Sequence, residues 1–146
     1  MIENEKIITA ERDADFVRRA RRILAEERRR GCEPTPRRVA VLTVYGGADS
    51  FHISYPRALN ELYRMLRDGE HIDPAWAEPW QLRMKHLAAR VASKMADDCR
   101  RSLPDALLQV FGEGGATRFY IGIPRAIQLL RKYHVMDRPR EGGESA

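Results

Sequence analysis

With only two cysteines, Cys32 and Cys99, the 146-residue chain cannot carry a disulfide framework, and neither cysteine has the Cys-x-x-Cys or Cys/His spacing of a zinc site. Both are expected as reduced thiols. Lysine is scarce as well, with 4 residues against 22 arginines. No apolar run approaches the ~18 residues that a membrane-spanning helix needs. The acidic start Met1-Ile2-Glu3-Asn4-Glu5 has neither the cationic nor the apolar region of a secretory signal. A cytoplasmic protein with no membrane partner is therefore expected. Catalytic patterns are missing too. His52, His71, His86 and His134 stand beside no Ser or Cys nucleophile pattern and form no His-x-x-x-His pair, and Gly112-Glu113-Gly114-Gly115 lacks the Lys-Ser/Thr of a phosphate loop. The adjacent Asp97 and Asp98 point two ways from a helix end, which suits solvation better than a metal. The expectation is a non-enzyme with no cofactor and no metal.

What is present is ordinary globular material, 43% hydrophobic and 32% charged. The length suits one compact domain, or two half-domains sharing a core. The formal charge is +5 and the isoelectric point about 9.6. Arginine's planar fork grips phosphate and carboxylate bidentately, so its excess is compatible with an anionic partner. The coding habit of a GC-rich genome accounts for the same bias, and composition does not choose between them.

An internal repeat organises the chain. Val41-Leu42-Thr43-Val44-Tyr45-Gly46 matches Leu107-Leu108-Gln109-Val110-Phe111-Gly112 at an offset of 66. Phe51-His52-Ile53-Ser54-Tyr55-Pro56-Arg57-Ala58-Leu59 matches Phe119-Tyr120-Ile121-Gly122-Ile123-Pro124-Arg125-Ala126-Ile127 at an offset of 68, after two residues gained in the second glycine turn. Each copy has the same elements. Phe16, Val17, Ala20, Ile23, Leu24 and Glu27 keep a helical period from about Ala10 to Arg30, stopped by Gly31. Thr35-Pro36 caps and opens a second helix that ends at Gly46-Gly47. Residues 50–54 alternate as a short strand, and a third helix with Ala58, Leu59, Leu62, Tyr63 and Leu66 inward runs to Gly69. In the second copy, helices from about Trp80 to Cys99, from Ser102-Pro104 to Phe111, and from Pro124 to Tyr133 flank a strand at 118–122.

The predicted fold is mainly α: two helix-helix-strand-helix repeats whose strands 50–54 and 118–122 pair as an antiparallel ribbon on a pseudo-twofold axis. Unpaired backbone groups of so short a strand need partners, and an equivalent strand supplies them. The boundaries read as a flexible N-terminus 1–9, repeat 1 at 10–69, a linker 70–79 held down by Trp76 and Trp80, repeat 2 at 80–135, and a disordered tail 136–146.

Candidate binding residues are cationic. Arg18, Arg19, Arg22, Arg29, Arg37 and Arg38 lie on the first helix and the start of the second, where they form either a phosphate-tracking surface or a solvated face partly neutralised by Glu11, Glu26 and Glu27. Arg57 and Arg125 recur in the first turn of equivalent helices, placed to clamp an anion or to brace the other repeat. Arg64, Arg131 and Lys132, with Asn60, Glu61, Arg67 and Gln128, occupy outer faces comparable with those of helix-turn-helix readers.

The segments Ala48-Asp49-Ser50-Phe51-His52-Ile53-Ser54 and Ala116-Thr117-Arg118-Phe119-Tyr120-Ile121, each followed by an alanine, Ala58 or Ala126, resemble an uncharacterised family of small Bacteroidetes proteins. In that family a Pro-Ala-x-x-Phe-Tyr-Ile-Ser segment precedes a helix, often twice. The resemblance spans about residues 14 to 134 and implies no activity. Gly114-Gly115-Ala116-Thr117-Arg118-Phe119-Tyr120-Ile121-Gly122-Ile123-Pro124 is similar, more weakly, to the Gly-Gly-Thr-Arg-x-Tyr-Ile-Pro stretch of phage Mor-type transcription activators, which implies DNA as partner. The leading expectation is a non-enzymatic nucleic-acid-binding protein. Its competitor is a protein-protein adaptor or homodimer anchored by Trp76, Trp80 or Tyr133.

Overall fold

Proline and glycine punctuation divides the chain into six helices in a computed structural model that describes residues 2–68 and 77–137, with side chains from Glu5 onward. They are α1 (Ile2–Arg29), α2 (Pro36–Val44), α3 (Tyr55–Asp68), α4 (Pro79–Asp97), α5 (Leu103–Glu113) and α6 (Ile123–Lys132). The caps act as their chemistry dictates. Thr35 Oγ1 accepts from the Arg38 amide at 3.2 Å and Ser102 Oγ from the Asp105 amide at 3.3 Å, each with a proline in the first helical turn. At the end of α5, Gly114 adopts φ +68, a conformation that a side chain would strain.

α1 begins well before the start set by its apolar period. Residues 2–9, expected as a flexible N-terminus, continue the helix: neither glycine nor proline interrupts it, although no described side chain before Asp13 is buried. The expected linker and tail lie mostly outside the described residues. Within them, Trp80 is exposed, while Met136 packs on the core beside α6.

Helix packing falls into two trios, α1 with α2 and α6, and α4 with α5 and α3. Each trio closes one apolar cluster. Phe16, Ala20, Val39, Val44, Phe119 and Leu129 belong to the first, and Phe51, Leu62, Leu87, Leu107 and Val110 to the second. The third helix of each predicted repeat thus packs with the first two helices of the other. Phe51 and Phe119, 68 residues apart, enter opposite clusters, and so do Ile53 and Ile121.

The predicted two-stranded ribbon is not formed. Among the described residues there is no strand and no sheet, only an isolated antiparallel bridge between Ala48 and Ala116, whose amides and carbonyls exchange two hydrogen bonds of 2.9 Å. The cause is local. His52 takes φ +54, which breaks an extended run at its middle. The Phe119 amide, which the ribbon would have used, donates instead to the Val44 carbonyl at the end of α2. Beyond the bridge the two segments part, because their aromatic side chains are buried in different clusters. Their rings still meet across the crossing: His52 stacks on Phe119 with centroids 5.6 Å apart, and Phe51 on Tyr120 at 5.9 Å.

Truncation of a ring at the crossing tests this arrangement. Phe119→Ala should cost about 3–5 kcal/mol in urea unfolding, whereas Leu108→Ala, on the exposed side of α5, should change stability by less than about 0.5 kcal/mol.

Candidate nucleic-acid interface

The predicted cationic residues separate into three groups once their partners are known. Arg18 and Arg19 form the first, drawn inward by carboxylates. Asp15 is 3% exposed, and its Oδ1 accepts from both arginines at 2.7 Å while Oδ2 accepts from the Asp49 amide at 2.8 Å. The same guanidiniums reach the Asp49 carboxylate at 2.7 and 2.6 Å, tying α1 to the turn after α2. Hydrogen bonds from Arg18 and then Arg19 pull the Asp49 carboxyl down from 3.8 to about 2. His52 lies 3.4 Å from Asp15, yet its own burial outweighs that attraction and lowers its basicity. Arg38 belongs to this group too. It pairs with Glu27, whose side chain is buried and whose acidity the Arg38 hydrogen bond increases.

A second group stays outward. Arg22, Arg29, Arg37 and Arg131 are exposed, and their side chains make no ion pair or hydrogen bond with a described residue. Arg22 and Arg29 are seven residues apart, one above the other on the side of α1 opposite Ala20. Arg125 bonds only Gln128 of its own helix, at 3.2 Å, and Lys132 sits over the Tyr133 ring. All six belong to the helices of the first trio.

Arg57 and Arg64 form the third group, on α3 in the second trio. Arg57 pairs with Glu5 of α1 at 3.0 Å and Arg64 with Glu61 at 2.9 Å. Both face a cavity shared with Arg83 and Trp80 of α4. Sequence reasoning missed Arg83. The spacings Arg57-Glu61-Arg64 and Trp80-Arg83, each on one face of a helix, were the available signal.

Other features bear on the competing readings. The proposed anchor Tyr133 is half-buried, and its hydroxyl donates to Asp13 at 3.3 Å; Trp76 lies outside the described residues. Cys32 and Cys99 are exposed and free. No described helix is long and apolar enough to cross a membrane, and no described group of three or more His, Cys, Asp or Glu could hold a metal ion. Comparison with protein-family models, with curated proteins and with solved structures gives no match.

The lowered Asp49 carboxyl sets a pH dependence. Between about pH 4 and 2 the unfolded chain binds a proton that the folded chain does not, so this contribution is complete above pH 4 and is lost as pH falls toward 2. Asp49→Asn should cost on the order of 1 kcal/mol near neutrality, reduced by the half-exposure of the pair, and the gap from the parent protein should close near pH 2 in urea titrations. His52 acts in the same sense at higher pH. The unfolded imidazole takes its proton first, so stability falls as pH drops through the ordinary histidine value.

Proposed function

We propose that the chain binds nucleic acid without sequence selectivity, by laying the outer surface of the first trio on phosphates. The observation that carries this reading is the second arginine group: Arg22, Arg29, Arg37 and Arg131 are exposed and unneutralised by any described carboxylate. An exposed guanidinium without an internal acid partner is available to displace counterions from a phosphate chain. Arg18, Arg19 and Arg38 are excluded from that role, because removing them strands the buried Asp15 and Glu27. Arg125 and Lys132 extend the basic surface along α6. We also read the chain as a doubled ancestral unit, which the offsets of 66 and 68 support.

A second reading, self-association, rests on an apolar cavity of about 440 Å³ lined by Leu62, Met65, Leu66, Ala88 and Met95, with Leu66 69% exposed. A doubled mass in light scattering that Leu66→Asp halves would favour it.

Mobility-shift titrations on a random-sequence DNA duplex at two salt concentrations test the main proposal. The reversal Arg22→Glu, Arg29→Glu, Arg37→Glu and Arg131→Glu should weaken binding by more than about tenfold and flatten the salt slope by about 0.9 for each phosphate that the variant no longer neutralises. Affinity that is absent, or that ignores salt, refutes the proposal.

A further inference from the structure

The cavity between α3 and α4 has about 480 Å³ of free space, within the range of sites for small ligands. Arg57, Glu61 and Arg64 contribute from α3, and Trp80 and Arg83 from α4. Ile53 and the buried Met84 add an apolar patch to the wall. Three arginines and one glutamate line the cavity, and with Glu5, which is 3.0 Å from Arg57, the local excess is one positive charge. Glu61 is engaged by Arg64, and Glu5, the partner of Arg57, is not among the lining residues.

Arg83 is the unusual member. Its Nη1 donates to the His52 carbonyl at 3.1 Å, no described carboxylate forms an ion pair with it although Glu5 attracts it from a distance, and its Nε is sealed from solvent with no acceptor. Burial, and then the neighbouring Arg57 charge, push its basicity down to about 10. A guanidinium kept away from water beside a second one is destabilising unless an anion compensates it. Here the uncompensated charge borders an open cavity. Trp80, 44% exposed, adds an indole ring to the same wall, a surface on which planar rings stack.

We propose that this cavity binds a phosphate monoester joined through a sugar to a planar base, the chemistry of a 5′-mononucleotide, with Arg57 and Arg83 turned to the phosphate and Trp80 stacked on the base. A monoester carries close to two negative charges at neutral pH, which the forks of Arg57 and Arg83 meet once Arg57 exchanges Glu5 for the ligand. None of the outward arginines of α1, α2 and α6 lines this cavity, and the proposal does not depend on the nucleic-acid reading.

Calorimetric titration of the full chain with adenosine 5′-monophosphate tests the proposal, with adenosine and inorganic phosphate as the partial probes. The nucleotide should bind at least about tenfold more tightly than either part, since both halves of the site contribute. Arg57→Ala and Trp80→Ala, both at partly exposed positions, should each weaken it by about tenfold with unchanged circular dichroism. Arg83→Lys keeps the charge, loses the fork, and should weaken it too. A hexanucleotide with and without its 5′-phosphate separates the sources of the monoester, since backbone binding elsewhere is common to both: a gain from the 5′-phosphate that Arg57→Ala removes assigns the site to a strand end, and no such gain assigns it to a free nucleotide. No heat at millimolar nucleotide, affinity equal to that of phosphate or adenosine alone, or affinity indifferent to all three substitutions overturns the proposal.

Discussion

Each half of the chain ends in an apolar helix that its own first two helices do not cover. This constraint governs the rest of the structure. α3 is buried on α4 and α5, and α6 on α1 and α2, so the connecting segments have to cross. They cross at Ala48 and Ala116, small enough for two backbones to exchange hydrogen bonds, and from there each carries a phenylalanine and an isoleucine into the opposite cluster. Burial of these side chains supplies far more stabilisation than the two bridge hydrogen bonds, at roughly 25 cal/mol per Å² against about 1 kcal/mol per bond. Two residues of pairing are therefore enough, and a longer ribbon would pull the rings out of their clusters.

Polar groups follow from that crossing. Where the chain turns after α2, Asp15 collects the Asp49 amide and two guanidiniums in a place with little access to water. A carboxylate so placed requires its cations, and this fixes the conformation of Arg18 and Arg19. The arginine excess thus has at least two uses: some guanidiniums hold α1 to its neighbours, and others face solvent or a cavity.

The helices were legible in the sequence because their determinants are local: the Thr35 and Ser102 caps, the prolines behind them and the 3.6-residue apolar period all lie within a few residues of the element they specify. The offsets of 66 and 68 align Phe51 with Phe119, but nothing in those offsets says that the two side chains enter different clusters. The ribbon failed because alternation of apolar residues reports burial on alternate sides, which an irregular crossing segment satisfies as well as a strand. His52 at φ +54 carries no signature of that conformation. Arginine partners were illegible for a different reason. Arg18 meets Asp49 across 31 positions and Arg57 meets Glu5 across 52, and periodicity along one helix says nothing about acids brought in by tertiary packing.

The interlacing also sets an order on synthesis. During synthesis α1 and α2 are made before α6, and their cluster cannot close until α6 has been added. α3, α4 and α5 are contiguous and can assemble while that wait continues. The trio whose members are farthest apart along the chain is accordingly the one whose core closes later, while the trio of neighbouring helices needs only short-range contacts.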